Sequence, residues 1–344
     1  MCVRFDMISH TRYIKYDIGR CTINDITNKK EMGAYVVSQS HFKITVEDGT
    51  MLEVKIDKAK KSTIGIVHLF HGMAEHMDRY QELVEALNTQ GYDVVRHNHR
   101  GHGKEIDENE RGHFNSMNQI VDDAYEIIET LYLEELNVPY IIIGHSMGSI
   151  IARLFVEKYP DIAQGLILTG TGMFPKWKGV PIRLAMKLVT FIFGKRRRLK
   201  WVNQLLNKTF NKKITQPRTD SDWISTRQDE VDKFVEDEFC GFKVSNQLIY
   251  QTLMTMMKTV ERQQLKRMDK NLPILFISGK DDPFGEYGKG IKHLARLYKR
   301  AGIKHITVQL YKHKRHEILF EEDYLKTWQH MFEWMEKQIL KKQK

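Results

Sequence analysis

Cysteine is scarce in this chain: its 344 residues hold three, Cys2, Cys21 and Cys240, far apart and in no C-x-x-C arrangement. That odd number and spacing argue against a disulfide framework or a cysteine zinc site, and a reducing compartment is expected. Nowhere do about 18 apolar residues run together, the length a membrane-spanning helix needs. Arg4, Asp6, His10, Arg12 and Lys15 interrupt the N-terminus before any apolar stretch of signal-peptide length. A cytoplasmic, non-spanning protein is therefore expected. Acidic residues are missing from Gly172 to Thr219, a window that holds thirteen lysines and arginines, so much of the net charge of +10 is local. Something acidic is expected to meet that face. Nucleic acid is disfavoured, because no aromatic-studded binding module accompanies the charge. Repeats and low-complexity linkers are also lacking.

What is present is an alternation of strands and helices. His41–Val46 and Met51–Ile56 alternate apolar and polar residues around Asp48-Gly49, which predicts an antiparallel hairpin at a sheet edge. Ile64–Phe70, Tyr92–Arg96, Pro139–Gly144, Gly165–Gly170, Leu272–Gly279 and Ile306–Tyr311 are short apolar strands. Helical spacing separates most of them, at Tyr80–Gln90, Met117–Leu136, Gly290–Arg300 and Glu322–Lys341. The expected class is α/β, a mostly parallel sheet with helices on both faces. The alternation lapses after Gly170, so the expected organisation is a core over 34–171 and 246–344, a helical cap over 172–245, and an extension of unassigned structure over 1–33.

Ile141-Ile142-Ile143-Gly144-His145-Ser146-Met147-Gly148 places one serine on a sharp strand-to-helix turn. Glycines two residues either side of Ser146 let strand and helix approach, and the helix N-terminus points free amides at the serine hydroxyl. A serine needs a general base, and the base needs an acid to orient it. Two pairs of candidates follow later strands in the order that such an elbow requires: Asp281 and Asp282 after Gly279, then His313 and His316 after Tyr311. His97, His99 and His102 invite a metal reading. On an extended segment His97 and His99 are expected to point apart, and the ligand set lacks a fourth partner, so no metal is assigned. No organic cofactor is needed either.

These motifs resemble the α/β-hydrolase superfamily, and within it the monoacylglycerol lipase and lysophospholipase group. The resemblance covers Phe42 to the C-terminus through His71-Gly72-Met73-Ala74-Glu75-His76, Arg79-Tyr80, Arg100-Gly101-His102-Gly103, Gly144–Gly148, Asp282-Pro283 and Arg315-His316-Glu317. It implies a triad of Ser146, Asp282 and His316 and an oxyanion hole from the backbone N–H groups of Met73 and Met147. Asn98 stands where an acid is usual, and His313-Lys314 where glycines are usual.

Within the cap, Pro181–Phe193 is unusually apolar and runs into Lys195-Arg196-Arg197-Arg198. Leu188, Phe191 and Ile192 are expected to line an acyl pocket, and the basic edge to contact an anionic membrane surface peripherally. The expected function is hydrolysis of single-chain lipid esters, monoacylglycerol or lysophospholipid, by a serine carboxylic-ester hydrolase. A small-ester esterase or aminopeptidase on the same fold, and a non-catalytic membrane or partner-binding protein, are the alternatives. An aminopeptidase is expected to offer acids to a substrate ammonium, and the acid-free window offers none. Oligomeric state is not set by the sequence.

Overall fold

The computed structural model describes residues 39–342 except 132 and 134–136. The extension over 1–33 lies outside the described residues. Strands β1 (Gln39–Thr45), β2 (Met51–Asp57), β3 (Gly65–Phe70), β4 (Tyr92–His97), β5 (Tyr140–His145), β6 (Gly165–Thr169), β7 (Ile274–Gly279) and β8 (Ile306–Tyr311) form one sheet. Their order is β1-β2-β4-β3-β5-β6-β7-β8. β1 pairs antiparallel with β2, and β2 antiparallel with β4. The remaining pairings are parallel. The hairpin thus sits at one edge, as its alternating pattern requires, while β8 closes the other edge half-buried.

β3 through β7 are buried along their whole length because helices cover both faces. Ile66, Phe70 and Ile142 face the core formed with α2 (Met117–Thr130), α3 (Met147–Lys158) and α9 (Lys289–Arg300). Val67, Leu69, Ile141 and Ile143 face α1 (Gln81–Gln90) and α10 (Tyr324–Gln338) on the other side. The period of two along each strand decides which layer each side chain joins. Gly91, left-handed at φ 104°, ends α1 directly after Gln90, the last residue of the expected helix. Helix α2 is shorter than its apolar spacing predicts, ending at Thr130.

Between β6 and β7 the chain forms α4 (Lys176–Phe193), α5 (Lys200–Asn211), α6 (Gln228–Glu236), α7 (Asn246–Lys258) and the short α8 (Arg262–Leu265). Helix α4 begins five residues before Pro181 and carries that proline inside. It buries Gly179, Met186 and Thr190, a single stripe, while most of its other residues stay accessible. Among the described residues no helix is long and apolar enough to cross a membrane.

Candidate active site

The turn between β5 and α3 is held by close backbone contact. A Cβ on Gly148 would lie 2.1 Å from the Phe70 carbonyl oxygen, and one on Gly144 would lie 2.5 Å from that of Gly148. Only glycine fits either position. Between them Ser146 takes φ 52° and ψ −117°, a strained conformation for a residue with a side chain.

That strain presents the Ser146 hydroxyl to His316, with Oγ 2.8 Å from Nε2. On the other side of the ring, Nδ1 lies 3.1 Å from Asp282 Oδ1. Asp282 and His316 are buried. Asp282 is fixed in turn by the Phe284 amide and the Ser278 hydroxyl. Asp281 and His313 are instead exposed, 4.0 Å apart, and away from the serine. His313 adopts φ 57°, so the backbone keeps the left-handed conformation that a glycine would take there. The ring of His316 is packed between Trp223, centroids 4.6 Å apart, and Phe284, at 5.5 Å. Trp223 belongs to the short turn Asp222–Ile224 between β6 and β7.

Met147 and Met73, whose amides the resemblance singled out, border the same cavity as Ser146. Met147 opens α3, so its N–H is one of the first-turn donors without a partner inside the helix. Met73 lies in the loop after β3, where the Gly72 N–H is taken by Glu75 and the Ala74 N–H by His102 Nε2 at 3.1 Å. Met73, Met147, Ser146 and His316 all border one cavity of about 480 Å³. Its remaining wall is largely apolar, with Phe174, Ile182, Leu206, Phe210 and Leu253 among its residues. Such a volume lies within the usual range for small-molecule sites.

Leu188, Phe191 and Ile192 do not border this cavity, and here the sequence expectation is corrected. They are 57%, 85% and 60% exposed. The stripe of α4 that packs inward runs through Gly179, Met186 and Thr190, which turns these three residues outward. The expected basic edge is also partly occupied. Arg196 pairs with Glu110 at 2.7 Å, and Arg198 donates to the Asn109 carbonyl at 2.7 Å.

His97 and His99 do not point apart either. β4 ends at His97, so strand alternation does not extend to His99, and the two buried rings meet at 4.7 Å. His68, His71 and His102 join them in one buried cluster. Burial, the largest influence, favours the neutral ring and drives His97 down to about 3 and His102 to about 4. Elsewhere His76, Asp237 and Cys240 come within ligating distance of one another. Both nitrogens of His76 are already engaged, Nε2 with Asp237 at 2.8 Å and Nδ1 with the Asp78 amide at 3.3 Å.

Glu75 also borders the cavity. Its buried carboxylate accepts from the Gly72 amide, Tyr80 Oη at 2.9 Å and Arg79 at 2.6 Å. Burial alone would raise its pKa, but Arg79, with His145 and His71, outweighs that and holds it at about 2. Arg79 also forks onto Glu317, the neighbour of His316, at 2.7 and 2.9 Å. A guanidinium shared by two buried carboxylates thus braces the loop after β3 against the loop after β8. Arg79 and Glu317 were visible in sequence only as parts of motifs; their meeting across 238 positions was not.

A family model described as serine aminopeptidase, S33, matches residues 61–323. Monoglyceride lipase from Mus musculus is 28% identical over 240 residues, covering 68% of this chain and 71% of the mouse protein. A Bacillus subtilis phospholipase is 30% identical over 108 residues, 31% of this chain and 40% of its own. A thermostable carboxyl esterase from Bacillus coagulans, solved with glycerol, superposes at TM-score 0.80 with 26% identity, covering 88% of this chain and all of that one. Monoglyceride lipase from Saccharomyces cerevisiae superposes at 0.69 with 19% identity over 86% and 94%, a likeness of fold. With the family model spanning well over half its length, this chain belongs to the serine aminopeptidase S33 family of α/β hydrolases.

Proposed function

We propose that this protein is a serine carboxylic-ester hydrolase that cleaves single-chain lipid esters, monoacylglycerol or lysophospholipid. The observation that carries the reading is the continuous line Ser146 Oγ, His316 Nε2, His316 Nδ1, Asp282 Oδ1, opening on an apolar cavity. Lipase and phospholipase names among the relatives point the same way.

In this mechanism His316 Nε2 takes the proton as Ser146 Oγ attacks the acyl carbonyl. Asp282 holds the Nδ1–H tautomer and stabilises the imidazolium. The Met73 and Met147 amides receive the oxyanion, a donor of this kind contributing about 100- to 1000-fold in rate. His316 returns the proton to the departing alcohol oxygen, leaving Ser146 acylated. Water, deprotonated by His316, then attacks the acyl carbon, and the proton passes back to Ser146 as the fatty acid leaves. His145, whose ring lies 5.0 Å from that of His316, is held down to about 4, first by burial and then by His316. It stays neutral at pH 7 and adds no repulsion to the imidazolium.

Helices α4, α5 and α6, within residues 172–245, act as a cap over Ser146. Aminopeptidase chemistry is the weaker reading. Glu75 and Glu317 at the cavity are both already paired with Arg79, and the other charges on its border are Lys200, Lys243 and the exposed Asp220. An arriving ammonium group therefore finds no buried free acid.

Peripheral contact with an anionic bilayer belongs to the same proposal. Of thirteen exposed large apolar side chains among the described residues, nine lie between Trp177 and Leu205, seven on α4 and two on α5. Arg183, Lys187, Lys195 and Arg197 are interleaved with them and no acid is. Apolar burial and attraction to anionic lipid thus act on one face.

Initial rates on esters of increasing acyl length, with monoacylglycerol and lysophospholipid included, test the substrate reading. A preference for long single chains is expected. Preference for the shortest esters, or for aminoacyl amides, would overturn it.

A further inference from the structure

Ala74 stands next to the proposed oxyanion donor Met73 and adopts φ 54°, the left-handed region that strains a residue with a Cβ. Two hydrogen bonds hold it there. Its N–H donates to His102 Nε2 at 3.1 Å, and its carbonyl accepts from the Gly241 amide at 2.8 Å. The net worth of one such bond is comparable to the strain, so neither bond alone outweighs it comfortably.

The tautomer of His102 follows from its partners. Nδ1 faces the Arg100 carbonyl at 3.0 Å, and a carbonyl can only accept, so Nδ1 carries the proton. Nε2 is then free to accept from Ala74. His71 repeats the arrangement, with Nδ1 on the Gly72 carbonyl at 2.8 Å and Nε2 accepting the His99 amide at 3.0 Å. Two neutral rings, centroids 5.1 Å apart, therefore tie the loop after β3 to the turn after β4.

We propose that His102 is a positioning residue for the oxyanion hole: its unprotonated Nε2 fixes the left-handed Ala74 and thereby aims the neighbouring Met73 amide at the cavity beside Ser146. The Gly241 bond extends the same fixation to the segment between β6 and β7, where Phe242 packs on the His102 ring at 5.5 Å. This inference rests on the serine-hydrolase reading. The titratable and charged groups facing His102 are His71 and Glu75 from the loop after β3, His99 on its own turn, and Arg111 from the following loop. Glu75 favours protonation of His102, Arg111 opposes it, and burial exceeds both.

His102→Gln, His102→Asn and His102→Leu separate this role from simple packing. A Gln carbonyl oxygen reaches the place of Nε2, an Asn oxygen stops at the level of Nδ1, and Leu offers no acceptor. The Asn and Leu variants are expected to lose about tenfold or more in kcat, short of the roughly 100- to 1000-fold cost of removing an oxyanion donor outright, with KM changed by less than about twofold. The Gln variant is expected to recover most of that loss. Equal kcat in all three, a Gln variant as impaired as Leu, or a loss confined to KM overturns the proposal. Should the Leu variant fail to fold, the Gln and Asn pair decides it alone. Ser146→Ala run alongside keeps the two readings apart: turnover that survives it defeats the hydrolase reading, whereas serine-dependent turnover indifferent to His102 defeats only this inference.

Discussion

Trp223 covers the His316 ring at 4.6 Å, although the two residues lie on opposite sides of β7 and β8 in the sequence. An indole packed this closely on the imidazole restricts its rotation. Trp223→Ala is expected to lower kcat about tenfold, the scale on which a loosened catalytic geometry is felt. Stability should change less, because Trp223 is only half-buried. Steady-state kinetics with a parallel thermal melt check this; unchanged kcat would show that the contact is incidental.

Arg79 serves two buried carboxylates, and removing it strands both. Arg79→Ala is expected to destabilise the fold by about 3–5 kcal/mol, the cost of uncompensated buried charge. Replacing Glu75 by Gln keeps the shape and leaves Glu317 as the counter-charge, so a smaller loss is expected. Urea unfolding of the two variants measures the difference, and equal losses would contradict the shared-guanidinium account.

Stability should depend on pH in a particular direction. Burial lowers His68, His71 and His99 well below 6.5, and takes His97 to about 3 and His102 and His145 to about 4. As pH falls below 6.5 the unfolded chain takes up protons that the folded chain refuses, so stability present above 6.5 drains away toward 4. Glu157 acts oppositely. Burial, only partly offset by Arg153, raises it to about 8, and between about 4.5 and 8 its folded form keeps a proton that the unfolded form has released. Six histidines outweigh one carboxyl below 6.5, while Glu157 alone of these groups acts from there to 8. Tm is therefore expected to peak near pH 6.5, fall steeply toward 4 and decline gently toward 8; a Tm that rises on acidification from 6.5 would sink this.

The exposed face of α4 and α5 gives a binding prediction. Trp177→Ser with Phe191→Ser is expected to leave Tm within about 2 °C, since 74% and 85% of their surface is already in solvent. Co-sedimentation with vesicles of phosphatidylcholine and phosphatidylglycerol should drop severalfold, and high salt should weaken the wild type. Binding that ignores both the variant and salt would remove the bilayer reading.

Much of this site was legible in local sequence because the elbow is a local device. Gly144 and Gly148 are dictated by backbone contacts within a few residues and against β3, and the hairpin and buried strands follow from periods that short windows display. Three-dimensional meetings were not legible. Which stripe of α4 faces inward depends on α7, so Leu188, Phe191 and Ile192 could not be oriented from an all-round apolar run. His97 and His99 meet because β4 ends between them, and strand ends are poorly marked when no glycine or proline stands there. Arg79, Glu317, Trp223 and His102 act across long sequence separations, where spacing carries no information.

The most direct test of the central claim is hydrolysis of a long-chain monoacylglycerol by wild type and Ser146→Ala, with the wild-type adduct of a fluorophosphonate mapped by mass spectrometry. The account predicts turnover that is lost in the variant and a single adduct on Ser146. Turnover that persists in Ser146→Ala, or an adduct on any other residue, would contradict it.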